Sequence, residues 1–126
     1  MRAGGLGPGK LHHFWDIEFV ERLGRSPAET AARLIAGISD EQRRAWSVGT
    51  AADWAMESHA LARAHAYGML PAPGGDGVYA LSQDYIDAAI RDVALQLSRA
   101  GIRLAVLLNR VLTTAPSGVN KSCGRC

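Results

Sequence analysis

Ser82-Gln-Asp-Tyr-Ile86-Asp-Ala-Ala-Ile90-Arg-Asp-Val93-Ala-Leu-Gln-Leu97-Ser-Arg-Ala-Gly101-Ile-Arg-Leu104-Ala-Val-Leu-Leu108-Asn-Arg-Val111 is the stretch whose reading decides the fold. Ile86, Ile90, Val93, Leu97, Gly101, Leu104, Leu108 and Val111 step by three or four. That spacing draws one apolar stripe along a helix of about eight turns. Ser82 opens it. Gly101 lies on the stripe, where a glycine costs about 1 kcal/mol relative to alanine. It is either a weak spot or a point of close helix–helix approach. The second reading is favoured, because Ala100 and Ala105 are also small.

Upstream, the pattern stays helical. Thr50 caps a helix from Ala51 to Tyr67, with Trp54, Ser58, Leu61 and His65 along one side and Gly68 at its end. Ser39-Asp-Glu-Gln42 and Ser26-Pro-Ala-Glu29 read as capping boxes, the latter with proline at the first helical position. They open short helices to about Trp46 and Ala36. A first helix runs from about His12 to Leu23 and stops at Gly24, a favourable C-terminal residue. Pro71-Ala-Pro-Gly-Gly-Asp-Gly77 reads as a loop. No β-alternating run exceeds a few residues and no internal repeat is present. The expected fold class is all-α, an irregular antiparallel helical bundle. Residues 1–10 read as a flexible Gly-rich lead-in, 11–112 as the helical domain and 113–126 as a tail.

Composition narrows the function. The 126 residues suffice for one domain, and 48% hydrophobic against 21% charged is the balance of a globular chain. A net charge of +2, with no Lys/Arg run, does not track a phosphate backbone. Any nucleic-acid chemistry therefore resides in a site. Met1-Arg-Ala-Gly-Gly lacks the apolar run of a signal peptide. The most apolar segment, Ile102 to Leu112, is interrupted by Arg103 and Arg110, so no membrane span is expected. Cys123 and Cys126 have the spacing of a redox or metal pair, but no second Cys/His pair follows to complete a zinc site.

His12 and Asp16 are the candidate metal ligands. Four residues apart, an imidazole and a carboxylate project from one helical face and form half of a site for a divalent ion such as zinc. His13, turned about 100° away, is a poor third ligand. His59 and His65, six apart, share no clean face, and their bland reading as partly exposed and core-edge residues is preferred. Asp53 belongs to a helix's first turn, where a carboxylate complements the dipole. Trp15, Trp46 and Trp54 read as core aromatics rather than base-stacking platforms. No nucleophilic triad or phosphate-cradling glycine loop is credible: no strand is expected before Gly4 to Gly9, and no Gly-Lys-Ser/Thr follows.

Three stretches carry a family resemblance. Leu11-His12-His-Phe-Trp15-Asp16 matches a Leu-His-x-x-Trp-Asp metal motif. Asp53-Trp54-Ala-Met-Glu57-Ser58, followed by Ala62 and Tyr67, matches an Asp-Trp-Ala-x-Glu-Ser helix. Gln96-Leu-Ser-Arg-Ala100-Gly-Ile-Arg103-Leu-Ala-Val-Leu-Leu-Asn109 matches a closing Gln-Leu-x-x-Ala-Gly-x-Arg-Leu-Ala-x-x-Leu-Asn helix. In this order and at these separations, the chain resembles the C-terminal half of the zinc-dependent, single-strand-specific type I nucleases, the family of mung bean nuclease and nucleases S-one and P-one. Their helical fold is related to that of zinc-dependent phospholipase C.

The resemblance implies an endonuclease of single-stranded DNA and RNA, with 3′-nucleotidase activity in many members, acting in DNA catabolism through three clustered zinc ions. His12 and Asp16 match the last two protein ligands, both on one zinc. Complete members are secreted or periplasmic. Glu57 and Arg103, at family positions away from the metal motif, are candidates for a buried or half-buried ion pair. Departures from the pattern matter equally. Only eleven residues precede His12, none of them His or Asp, and Lys10 replaces the family's asparagine. The expectation is a member without its N-terminal half, holding at most one partial zinc site. The competing reading is a catalytically inactive helical remnant or interaction module that binds zinc weakly or not at all. Either way, part of the long stripe is expected to be exposed and to invite self-association.

Overall fold

The computed structural model describes residues 2–3 and 9–113. Five helices account for most of it. Helix α1 occupies residues 11–21, α-helical at Leu11–His13 and Phe19–Glu21 and wound as a wider π-helix over Phe14–Glu18. Helix α2 is Pro27–Ala36 and α3 is Asp40–Trp46. Helix α4 runs through Ala51–Leu61 into a second π-helical segment, Ala62–Tyr67. Helix α5, Gln83–Thr113, is 31 residues long. The all-α expectation holds. The exception is a parallel ladder two residues deep, in which β1, Arg2–Ala3, pairs with β2, Ala80–Leu81. Segments this short carry no alternation for a sequence to show.

Local chemistry explains the helix starts. At α3, Ser39 Oγ accepts from the Gln42 amide at 3.1 Å while Gln42 Oε1 accepts from the Ser39 amide at 2.9 Å. At α4, Thr50 and Asp53 make the same reciprocal exchange, at 3.2 and 2.8 Å. At α2 the box is only half made. Ser26 Oγ accepts from the Glu29 amide, but the Glu29 carboxylate reaches one residue further back, to the Arg25 amide at 3.0 Å and the Arg25 guanidinium at 3.2 Å. Ser82 Oγ caps α5 by accepting from the Tyr85 amide.

Two glycines answer different demands. Gly49 adopts φ +98°, in the left-handed region, just ahead of α4. Helix α1 stops before Gly24, as expected, although Gly24 is not left-handed. This glycine lets the chain pass close to α2, for a Cβ there would come within 2.6 Å of Thr30 Oγ1 and 3.0 Å of its amide nitrogen.

The core lies between α1 and the first half of α5. Phe14, Phe19, Leu81, Tyr85, Ile86, Ala89 and Val93 form one buried cluster, with Leu11, Trp15, Val20, Leu23, Leu70 and Ile90 packed around it. Phe14, Phe19 and Ile86 are sealed from solvent. Trp15 stands edge-on to Phe19 and Tyr85, and its indole N–H donates to the Tyr85 hydroxyl at 3.2 Å. That hydroxyl donates onward to the Ala66 carbonyl at 2.7 Å, tying α4 to the same cluster. Burial pushes the Tyr85 phenol above its ordinary range, which keeps the proton that this bond uses. Among the described residues no helix is long and apolar enough to cross a membrane.

Removing the Tyr85 hydroxyl leaves a buried carbonyl and an indole N–H without partners. Tyr85→Phe is expected to lower stability by about 1–2 kcal/mol, read as a reduced midpoint of urea unfolding at unchanged slope.

Candidate metal centre

His12 and Asp16 lie one turn apart on α1, and both are exposed. The face of α1 bearing Phe14 and Phe19 is sealed in the core, so the helix is anchored from the side opposite the candidate ligands. Neither side chain has a hydrogen-bonding or charged partner among the described residues. Among the described residues no three His, Cys, Asp or Glu side chains converge to hold a metal ion.

The π-helical winding changes which side chains meet. In a π-helix the backbone bonds run i to i+5. His13 accordingly reaches Glu18, five residues on, with Nε2 3.4 Å from Oε1. That contact engages the His13 ring with Glu18.

Asp16 sits at the edge of a cleft of about 480 Å³ between α1, α4 and α5. Trp15, Val20, Ser58, Asp92, Val93, Gln96, Leu97 and Ala100 complete its lining. Asp92 is buried, and its Oδ2 lies 2.6 Å from Nδ1 of His65, in the π-helical segment of α4. The sequence reading missed this pair. It gave His65 a core-edge position, which the half-buried ring bears out, but it did not single out Asp92. The available signal was a lone acid on the face of α5 that buries Ala89 and Val93. A carboxylate there requires a partner.

The expected pair between Glu57 and Arg103 is present and bidentate. Arg103 Nη1 and Nη2 donate to Glu57 Oε1 and Oε2 at 3.0 and 2.9 Å. Arg99 Nη1 adds a third contact to Oε1 at 3.1 Å. The guanidinium of Arg103 covers the Trp54 ring at 5.2 Å, and that of Arg99 covers Trp46 at 5.8 Å. Trp46 and Trp54 thus depart from the expectation of core aromatics. They are half-buried cation–π platforms outside the buried cluster, whereas Trp15 does pack on the core. The Arg103 hydrogen bonds, followed by the positive charge of Arg99, hold the Glu57 carboxyl below its ordinary range despite burial acting the other way. Asp53 is structural, as expected, and its bonds to Thr50 lower its pKa.

The expected close approach at Gly101 is absent. A Cβ there would meet nothing within 4 Å, because the residue lines an apolar groove of about 750 Å³ between α2 and α5. The cysteine pair, Cys123 and Cys126, and the glycines at 4–8 lie outside the described residues.

A bundle of short capped helices around one long helix places the chain among all-α proteins. The S1/P1 nuclease family model matches residues 7–113, most of the sequence, and the chain belongs to that family. No curated relative and no solved structure matches the chain.

Because the folded Glu57 carboxyl titrates lower than in the unfolded chain, its pairing stabilises the fold above the ordinary glutamate range, near pH ~4.3, and is lost as pH falls through the folded value. Glu57 is about one-third exposed, so the expected cost of Glu57→Gln at pH 7 is modest, about 1–2 kcal/mol. The gap between wild type and Glu57→Gln in urea melts should close as the buffer is taken from pH 6 toward pH 3. A double-mutant cycle of Glu57→Gln with Arg103→Met is expected to show about 1 kcal/mol or more of coupling.

Proposed function

We propose that the chain carries part of the zinc site of an endonuclease that hydrolyses phosphodiester bonds in single-stranded DNA and RNA. His12 and Asp16 are its zinc ligands, both on one ion. The observation that carries this reading is the coincidence of family membership over residues 7–113 with an exposed imidazole and carboxylate one turn apart on α1. The donor chemistry fits zinc in part. Histidine and aspartate are ordinary zinc ligands, but together they fill two positions where a catalytic site commonly has three from protein. When bound, zinc supplies Lewis-acid chemistry, withdrawing charge from phosphoryl oxygens and making water nucleophilic near neutral pH.

The chain's own residues do the positioning. Phe14 and Phe19 seat α1 on α5, and Trp15 fixes its rotation through Tyr85. With the helix held, Asp16 stays in the lining of the cleft that Ser58 and Gln96 also line. Single-stranded nucleic acid or nucleotides are the substrates in this reading.

A second reading has its own support. No third metal-ligating group joins the pair among the described residues. This favours a catalytically inactive helical module with weak or no zinc binding.

Zinc titration and cleavage of a single-stranded oligonucleotide, run on the wild type, His12→Ala and Asp16→Asn, separate the two. The proposal expects zinc binding that weakens at least about tenfold in each variant, and zinc-dependent cleavage lost in both. Equal background cleavage by all three proteins, with no zinc uptake that depends on His12, would leave the inactive module standing.

A further inference from the structure

We propose that the second half of α5 is a self-complementary interface through which two copies of this chain pair antiparallel. The apolar stripe of α5 is continuous, but α1 covers only its first part. Ile86 is sealed and Val93 buried, whereas Leu97 is 40% exposed, Leu104 57%, and Val111 and Leu112 69% and 72%. Successive residues on a helix turn by about 100°. Leu97, Ala100, Gly101, Leu104, Leu108 and Val111 therefore share one face, with Leu107 at its edge. Arg99 and Arg103 point to the other side, where Glu57 holds them against α4. The exposed face thus carries no charged residue between Leu97 and Leu108.

Size and shape both favour a second copy. With ordinary residue areas, those exposures, together with Leu107 at 44% and Leu108 at 51%, amount to on the order of 600 Å² of apolar surface per copy, the top of the range for a monomer's largest patch. Two copies would bury about 1,200 Å², the lower edge of a specific interface. An antiparallel two-fold axis through Leu104 sets Leu97 opposite Val111, Ala100 opposite Leu108 and Gly101 opposite Leu107. Small residues then face large ones along the seam, as packing at native density requires. Space is available at the glycine, since nothing lies within 4 Å of a Cβ placed on Gly101.

Sedimentation equilibrium from about 1 to 100 μM, in reductant so that Cys123 and Cys126 cannot cross-link, reads the proposal. The expected species has twice the 13.4 kDa chain mass. Leu104→Glu, which sets two carboxylates across the axis, and Leu108→Glu are each expected to weaken dimerisation at least tenfold with unchanged helical circular dichroism. Met56→Glu, exposed on α4 away from the stripe, should remain dimeric. Hydrogen exchange of the unaltered chain needs no substitution: amides of 101–112 should exchange faster on dilution, while those of 85–93 do not change. A monomer throughout the range, as would follow if the tail or a different partner covered this face, overturns the proposal. So does a dimer that survives both glutamate variants, or exchange that is independent of concentration.

Discussion

The seating of α1 on the first half of α5 is the contact on which the remainder depends. Phe14 and Phe19 on one helix and Ile86 and Val93 on the other exclude water between them, and each large side chain so buried contributes roughly 1.5–3 kcal/mol. The two phenylalanines are five residues apart, and π-helical winding from Phe14 to Glu18 brings them onto one face. An α-helix would turn the second about 140° away from the first. The wider turn also leaves His12 and Asp16 on the solvent side. One backbone adjustment therefore gives a core-facing and a solvent-facing set on a helix of barely three turns.

Helix α5 then divides its labour along its length. Its first half buries aliphatic side chains against α1. Its second half is held on one side by charge, through Arg99 and Arg103 on Glu57 with two tryptophan rings beneath them. Arginine suits that role, because its planar guanidinium can bond a carboxylate through its edge and stack through its face at the same time. The polar clamp fixes the direction of α5 without covering its aliphatic stripe, which is why the stripe emerges beyond Leu97.

Helix positions were legible in the sequence because caps are local. Ser39/Gln42, Thr50/Asp53 and Ser82 satisfy amides within three residues of themselves, and no distant contact is needed to read them. The Glu57–Arg103 pair was legible from motif positions. What stayed hidden depends on winding or on distance along the chain. The π-helical segments leave no compositional mark, so the His13–Glu18 contact at i, i+5 was not foreseen. His65 and Asp92 are 27 residues apart on different helices, and neither alone announces the other. At Gly24 and Gly101 the residue type was read through the commonest uses of glycine. The surroundings added a demand at the first, where Thr30 crowds close, and decided otherwise at the second, which faces open space.

Two of the histidine–carboxylate pairs, His65 with Asp92 and His12 with Asp16, divide between them what a metal site combines. A ligating imidazole usually donates its other ring N–H to a carboxylate or carbonyl, which fixes its orientation and raises its basicity. His65 has such a support in buried Asp92, but it lies on α4, and Asp92 is committed to that bond. His12 and Asp16 have the spacing for a shared cation, yet no described residue braces the His12 ring. Two ligands on an exposed helical face, without an outer shell, must be ordered by the metal itself, and that ordering subtracts from affinity. Rigid backbone alone, which the α1–α5 core supplies, fixes the spacing of the pair but not its side-chain rotamers. Tight zinc binding at His12 and Asp16 therefore calls for further donors or braces beyond those that the described residues of this chain bring to the site.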